Sequence, residues 1–214
     1  MGAKTGTSTP SAHNSIDTIA VRRRVAGMKQ ILLMIVYSGL IQIGLSQSKP
    51  ALSKSQLVFI KTVEPFCAAY VAAPNELKKS ALRAQRKIAI SKMVGNGRVA
   101  GWIGTLEGMG TNSEGKAYVA VKLEGSRSIS VKTWNNALSD IGSNTLIENG
   151  SNLFNSISNC SKGDKVVFSG HFFADKLSKL DCIEEASLTE MGSMTSPEFI
   201  FKFSAIRKKL SDKK

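Results

Sequence analysis

"LFNSISNCSKGDKVVFSGHF" runs from Leu153 to Phe172. Its start lies within "GSNLFNSIS" (150–158), which reads as a short helix, and "SKGD" (161–164) supplies the turn that ends it. "KVVFSGHFF" (165–173) then switches to β-branched and aromatic residues, the composition of a strand. Before this stretch, "RVAGWIGTLEGMG" (98–110) reads as a strand ending in a turn. "KAYVAVKLEG" (116–125) alternates, with Ala117, Val119, Val121 and Leu123 on one face and Tyr118, Ala120 and Lys122 on the other. "SISVKTW" (128–134) alternates again: Ile129 and Val131 point one way, Lys132 and Trp134 the other. After it, "EFIFKFSAI" (198–206) is the last strand, and the long connection before it holds a candidate extra strand at "EASLTE" (185–190). Trp102 is expected in the core, because Ala100 and Leu106 share its strand parity.

Three strands, a helix and two strands is the element order of the OB-fold barrel. On these residues the region 95–207 resembles bacterial OB-fold proteins, and within them the anticodon-binding-like domains of exported proteins. The resemblance covers about half the chain. It implies an α+β protein: a five-stranded OB-fold-like barrel, with a helix plugging its end, preceded by a helical segment and an N-terminal signal or anchor helix. An OB-fold binds through the outer face of strands 2 and 3. That face would present Tyr118, Lys122, Lys132 and Trp134, and an aromatic ring beside a cation is what stacking on a base or sugar ring needs.

The segment 50–93 has the texture of helices. "SQLVFIKTVEPFCAAYVAA" (55–73) is an apolar helix that Pro65 is expected to interrupt. "NELKKSALRAQRKIAISK" (75–92) places Leu77, Ala81, Ala84 and Ile88 on one apolar stripe, with Lys78, Lys79, Arg83, Arg86 and Lys87 around the remainder. Two readings of those cations compete: a surface for anionic lipid or nucleic acid, or a solvated face on a helix packed against its neighbour. The second is expected.

Residues 1–29 carry five basic residues and one acid, show no apolar periodicity and read as a disordered lead, of the kind left by translation counted from upstream of Met28. The segment 30–48 is free of charge, with its densest apolar run at Ile31–Tyr37. Its length and dilution suit an export signal, ending in Gly44 and Ser46, or a membrane anchor, better than a buried first helix. Either would carry the rest of the chain out of the cytoplasm, into the periplasm or onto the periplasmic side of the inner membrane. Export would also permit a Cys160–Cys182 disulfide, leaving Cys67 over.

The chain of 214 residues has a formal charge of +13, but residues 94–206 carry ten basic and twelve acidic residues. The excess therefore sits on the flanks, including the tail 208–214, and a basic groove on the barrel is not implied. No nucleophile elbow, metalloprotease helix, phosphate-binding loop or Cys/His zinc spacing is present, so no catalytic residue, metal site or cofactor is expected. The expectation is a non-catalytic, exported OB-fold binding module of the cell envelope, taking a protein, glycan or small ligand. The alternatives are a single-stranded nucleic-acid-binding protein, and a membrane-tethered structural protein associated with lipid through 30–48.

Overall fold

Alternation becomes burial along Ala117–Leu123 and Lys165–Phe172. In the computed structural model, which describes residues 51–94, 97–173 and 185–210, five strands close into a barrel. They are β1 (Arg98–Thr111), β2 (Ala117–Leu123), β3 (Ser130–Lys132), β4 (Lys165–Phe172) and β5 (Glu198–Lys208). The order around the barrel is β1-β2-β3-β5-β4. The β3–β5 pair is parallel and the other pairs are antiparallel. This closure is compatible with an OB-fold. Ala117, Val119, Val121, Leu123, Ile129 and Val131 all lie in the core, as their alternation predicts. The last strand runs past the expected boundary at residue 206, so Lys208 belongs to β5 rather than to the tail 208–214, and it pairs with Asp164 at 2.8 Å.

Among the described residues, four helices accompany the barrel: α1 (Lys54–Ala72), α2 (Glu76–Val94), α3 (Asn152–Ser158) and α4 (Glu190–Thr195). The Ser151 hydroxyl caps α3 by accepting from the Phe154 N–H, and α3 sends Ile157 into the core. The stretch 185–190 makes a single bridge, Glu185 to Phe199, and then starts α4 instead of forming a strand.

Two expectations about β1 and α1 fail for local reasons. Ala100 is exposed, because the register slips between Val99 and Trp102, where Gly101 sits at φ +66°. That bulge inserts one residue, so the parity before it is reversed. Trp102 itself is buried, as expected. Pro65 does not interrupt α1, which is continuous through it. A proline removes the bond to the carbonyl four residues earlier, here Lys61; both residues are exposed, so water can serve that carbonyl.

The first helix contributes one of its faces to the barrel's core. Phe59 packs its ring against Trp102, Phe172 and Phe199 at centroid distances of 5.3, 5.2 and 5.3 Å. The buried Gln56 side chain accepts from the Ile103 N–H at 2.8 Å and donates to the Ile103 and Glu124 carbonyls. Its amide thus bonds to backbone of β1 and of the turn after β2.

Candidate binding face

Antiparallel pairing of β2 with β3 sets Ala120 opposite Lys132, Val121 opposite Val131 and Lys122 opposite Ser130. Continued two residues, the same register brings Trp134 opposite Tyr118. The Thr133–Val119 pair supports that continuation, since the Thr133 N–H donates to the Val119 carbonyl and the Val119 N–H to Thr133 Oγ1. Tyr118, Lys122, Lys132 and Trp134 therefore share the outward parity of the two strands. All four are half-buried rather than open.

The four differ in what they touch. Tyr118 leans over β1, where any side chain at Gly110 would collide with its ring. Lys132 pairs with Glu198 on β5 at 3.0 Å, which takes up part of its charge. The Lys122 ammonium has no ion-pair or hydrogen-bond partner among the described residues and is the face's available cation. Trp134 Nε1 is buried with no acceptor among the described residues. A buried donor of that kind is uncommon in a folded protein.

Sequence reasoning missed what holds Trp134. Its backbone N–H donates to Thr145 Oγ1 at 2.9 Å, and that hydroxyl donates to Asp140 Oδ1 at 2.7 Å. Asp140 is buried and also accepts from the N–H groups of Thr145 and Leu146. One carboxylate thereby fixes the loop after β3. The polar run "NNALSDIGSNT" (135–145) is a signal for such a loop, but not for which residue organises it.

The basic face of α2 is only partly solvated, because Arg86 leaves it for the interior. Arg86 is 0% exposed. Its Nη1 donates to the Ser193 carbonyl at 2.6 Å, and its Nη2 donates to Glu185 Oε1 at 2.5 Å and to Ser193 Oγ at 2.8 Å. Arg83 stands 3.8 Å from Glu190, and the Lys79 ammonium lies over the Tyr70 ring at 5.6 Å. Lys87 is half-buried, and Lys78 is exposed. The predicted apolar stripe faces outward instead: Leu77 is 85% exposed, Ile88 is 39% exposed, and Ala81 and Ala84 are exposed. Arg and Lys have apolar stems, so this face packs while its heads meet acids from distant sequence.

Elsewhere on the barrel two cations flank a histidine. Cross-strand register aligns Arg98 of β1 with His171 of β4, and His171 with Lys202 of β5. Burial, then Lys202, then Arg98 hold the His171 imidazole below its ordinary 6.5. Above that value the imidazole is neutral in both native and unfolded chains, and its contribution to stability is complete. As pH falls through 6.5 toward the depressed native value, the unfolded chain binds the proton first and stability is lost. Replacing His171 by Gln should remove this acid-side loss, so the melting-temperature gap between variant and parent should shift between about pH 7.5 and about pH 5. A pH-independent gap would contradict the desolvated imidazole. Asp164, lowered from 3.8 by Lys208 and the Ser161 N–H, titrates below that window.

Burial pushes the thiols of Cys67 and Cys160 above 9.0, away from the thiolate that nucleophilic chemistry needs. Both are free thiols; Cys182, the expected partner of Cys160, lies outside the described residues. No group of three or more His, Cys, Asp or Glu among the described residues is placed to hold a metal ion. No described helix is long and apolar enough to cross a membrane, and the segment 30–48 lies outside the described residues, as does the lead 1–29. No protein-family model matches this chain, and no curated protein matches it.

Proposed function

We propose that this protein is a non-catalytic binding module of the OB-fold type. Its ligand is a ring-bearing molecule, taken on the outer face of β2 and β3, and it acts in the bacterial cell envelope after export through the apolar segment 30–48. The observation that carries the binding half is the shared outward parity of Tyr118, Lys122, Lys132 and Trp134. Rings supply stacking area at low entropic cost, and Lys122 supplies a charge for a polar substituent. Trp134 carries in addition a buried N–H that a ligand acceptor could meet after a small adjustment. The near-neutral charge of residues 94–206 favours a glycan or a protein loop over a polyanion. The anticodon-binding-like kinship and the envelope location belong to this proposal.

A second reading, single-stranded nucleic acid, is favoured by the aligned Arg98, His171 and Lys202 on the same barrel. Titration of the full chain with a chito-oligosaccharide and with an oligothymidylate, at two salt concentrations, separates the two. Trp134→Ala should weaken whichever ligand stacks there by on the order of 1–3 kcal/mol. If that ligand is the oligothymidylate, Lys122→Ala should reduce the salt slope by about 0.7. Equal binding of both ligands by parent and Trp134→Ala would remove the face from the proposal. Cell fractionation with the sequence of the mature N-terminus tests the location; an intact chain in the cytosol would refute export.

A further inference from the structure

Residues of β1, β4, β5 and α3 together line a groove of about 440 Å³, within the range of small-molecule sites. We propose that it binds an acidic saccharide, a sugar ring carrying one carboxylate. This goes beyond the ring-binding face, since none of Tyr118, Lys122, Lys132 and Trp134 lines the groove.

The floor centres on Ser169 of β4. On one side the register of β1 slips between Val99 and Trp102, which sets Ala100 and Gly101 against Ser169. On the other side the register of β5 slips between Phe203 and Ala205, which leaves Ser204 as the extra residue. One serine is thus flanked by two bulges, and a bulge takes its extra residue out of the ladder and re-aims the side chains beside it. Gly101, Ser204 and Ala205 all reach the groove. A side-chain carbon added at Gly101 would meet nothing within 4 Å, so the space above it is open. Apart from Ile206, every lining residue is exposed or half-buried.

The polar groups are donors, and they are uncommitted. Ser169 Oγ accepts from the Gly101 N–H at 3.0 Å, which leaves its own proton to give. The Ser204 hydroxyl, the Asn152 side-chain amide and the Arg207 guanidinium have no partner among the described residues. No carboxylate lines the groove, and Arg207 is its one charge. Two neighbouring cations, Lys208 and Lys165, are paired with Asp164 and Glu124. One open cation suits a ligand with one negative charge and not a polyanion, whose affinity needs several. A guanidinium meets a carboxylate through two parallel hydrogen bonds. Arg207 and Ala205 are consecutive on the outer face of β5, and Ala205 stands opposite Ser169. A carboxylate on Arg207 therefore leaves roughly 7 Å of strand, two residues, for a ring to reach the serines. Ring hydroxyls both donate and accept, as the serine hydroxyls and the amide do. Leu153 and Val167, both half-buried, give the ring's C–H face a modest apolar support, too small for a lipid chain.

Full-length protein is titrated by ligand-observed NMR with methyl glucuronide, and with methyl glucoside, in which an uncharged hydroxymethyl replaces the carboxylate. Saturable binding of the glucuronide, about tenfold tighter than of the glucoside, is expected. Acetate carries the head without the ring and should bind more weakly by about tenfold or more. Arg207→Gln should weaken the glucuronide by about tenfold and leave the glucoside unchanged. Ala205→Tyr, at an exposed strand position, should block the groove and abolish binding of both. Trp134→Ala alters the other face and should change neither, which separates failure of this site from failure of that one. The proposal is overturned by absence of saturable glucuronide binding, by equal binding of glucuronide and glucoside, or by equal binding of glucuronide and acetate. Glucuronide binding that survives Ala205→Tyr, or is lost with Trp134→Ala, overturns it as well. Melting temperatures accompany each variant; if Ala205→Tyr unfolds the protein, the Arg207→Gln and glucoside comparisons decide alone.

Discussion

Replacing Arg86 by Met is expected to cost ~3–5 kcal/mol and to lower the melting temperature by roughly 6–20 °C. The guanidinium has no access to solvent, and its two Nη atoms hold Glu185 and both the carbonyl and hydroxyl of Ser193. Methionine fills the volume, so the loss is not one of packing. It comes from the partners left behind: Glu185 keeps a carboxylate that is largely removed from water, with only the Ser193 hydroxyl, among the described residues, still donating to it. Joint replacement, Arg86→Met with Glu185→Gln, should recover much of the deficit, because the stranded charge goes with the pair. Thermal melts of the parent, both single variants and the double variant give the coupling. A single-variant loss below about 1 kcal/mol would mean that water reaches Glu185 when the arginine is gone.

The same arginine shows where the sequence stops being informative. Alternation in "KAYVAVKLEG" names the inward residues correctly, because a strand's period of two depends only on its own backbone. A helix has the same internal logic, yet α2 turns its Leu77–Ala81–Ala84–Ile88 stripe outward and buries Arg86 and Ile90. What reverses it is the acid-bearing segment 185–190, some hundred residues away, which meets Arg86 and Arg83. Composition within a helix cannot reveal a partner of that kind. Ala100 misleads on a smaller scale: parity counting assumes an unbroken ladder, and Gly101 breaks it.

The shared outward parity of the candidate face was legible in the sequence, and the contacts of its side chains were not. Outward parity correctly grouped Tyr118 with Lys122 and Lys132 with Trp134, and β2–β3 pairing brings the two groups side by side. Which cation remains available depends on Glu198, whose approach to Lys132 follows from the parallel β3–β5 pairing. The Asp140–Thr145 support of Trp134 likewise rests on loop geometry, for which the sequence offers only a polar, turn-rich composition. A pocket lined by Val58 of α1, Met93 of α2, Val99 and Trp102 of β1 and Phe172 of β4 had no sequence signal, because its lining comes from four separate elements.

Phe59→Ala is expected to cost ~3–5 kcal/mol, as large as a truncation in the barrel wall itself, although Phe59 belongs to a helix that precedes the barrel. Its ring meets Trp102, Phe172 and Phe199 at once, and those three come from β1, β4 and β5. The cavity left by alanine would open between strands that cannot close on it without shifting register. Gln56→Leu acts on the same helix by another route. It keeps the bulk of the side chain and strips the Ile103 N–H of its acceptor and the Glu124 carbonyl of a donor, at about 1–3 kcal/mol for a buried group left unsatisfied. If α1 is integral in this way, the two losses should be additive only in part, since both loosen the seating of one helix. A fragment beginning at Gly97 should then show no cooperative thermal transition. A sharp transition in that fragment, with a melting temperature near that of the full chain, would show that the five strands fold on their own and that α1 is an accessory laid against them.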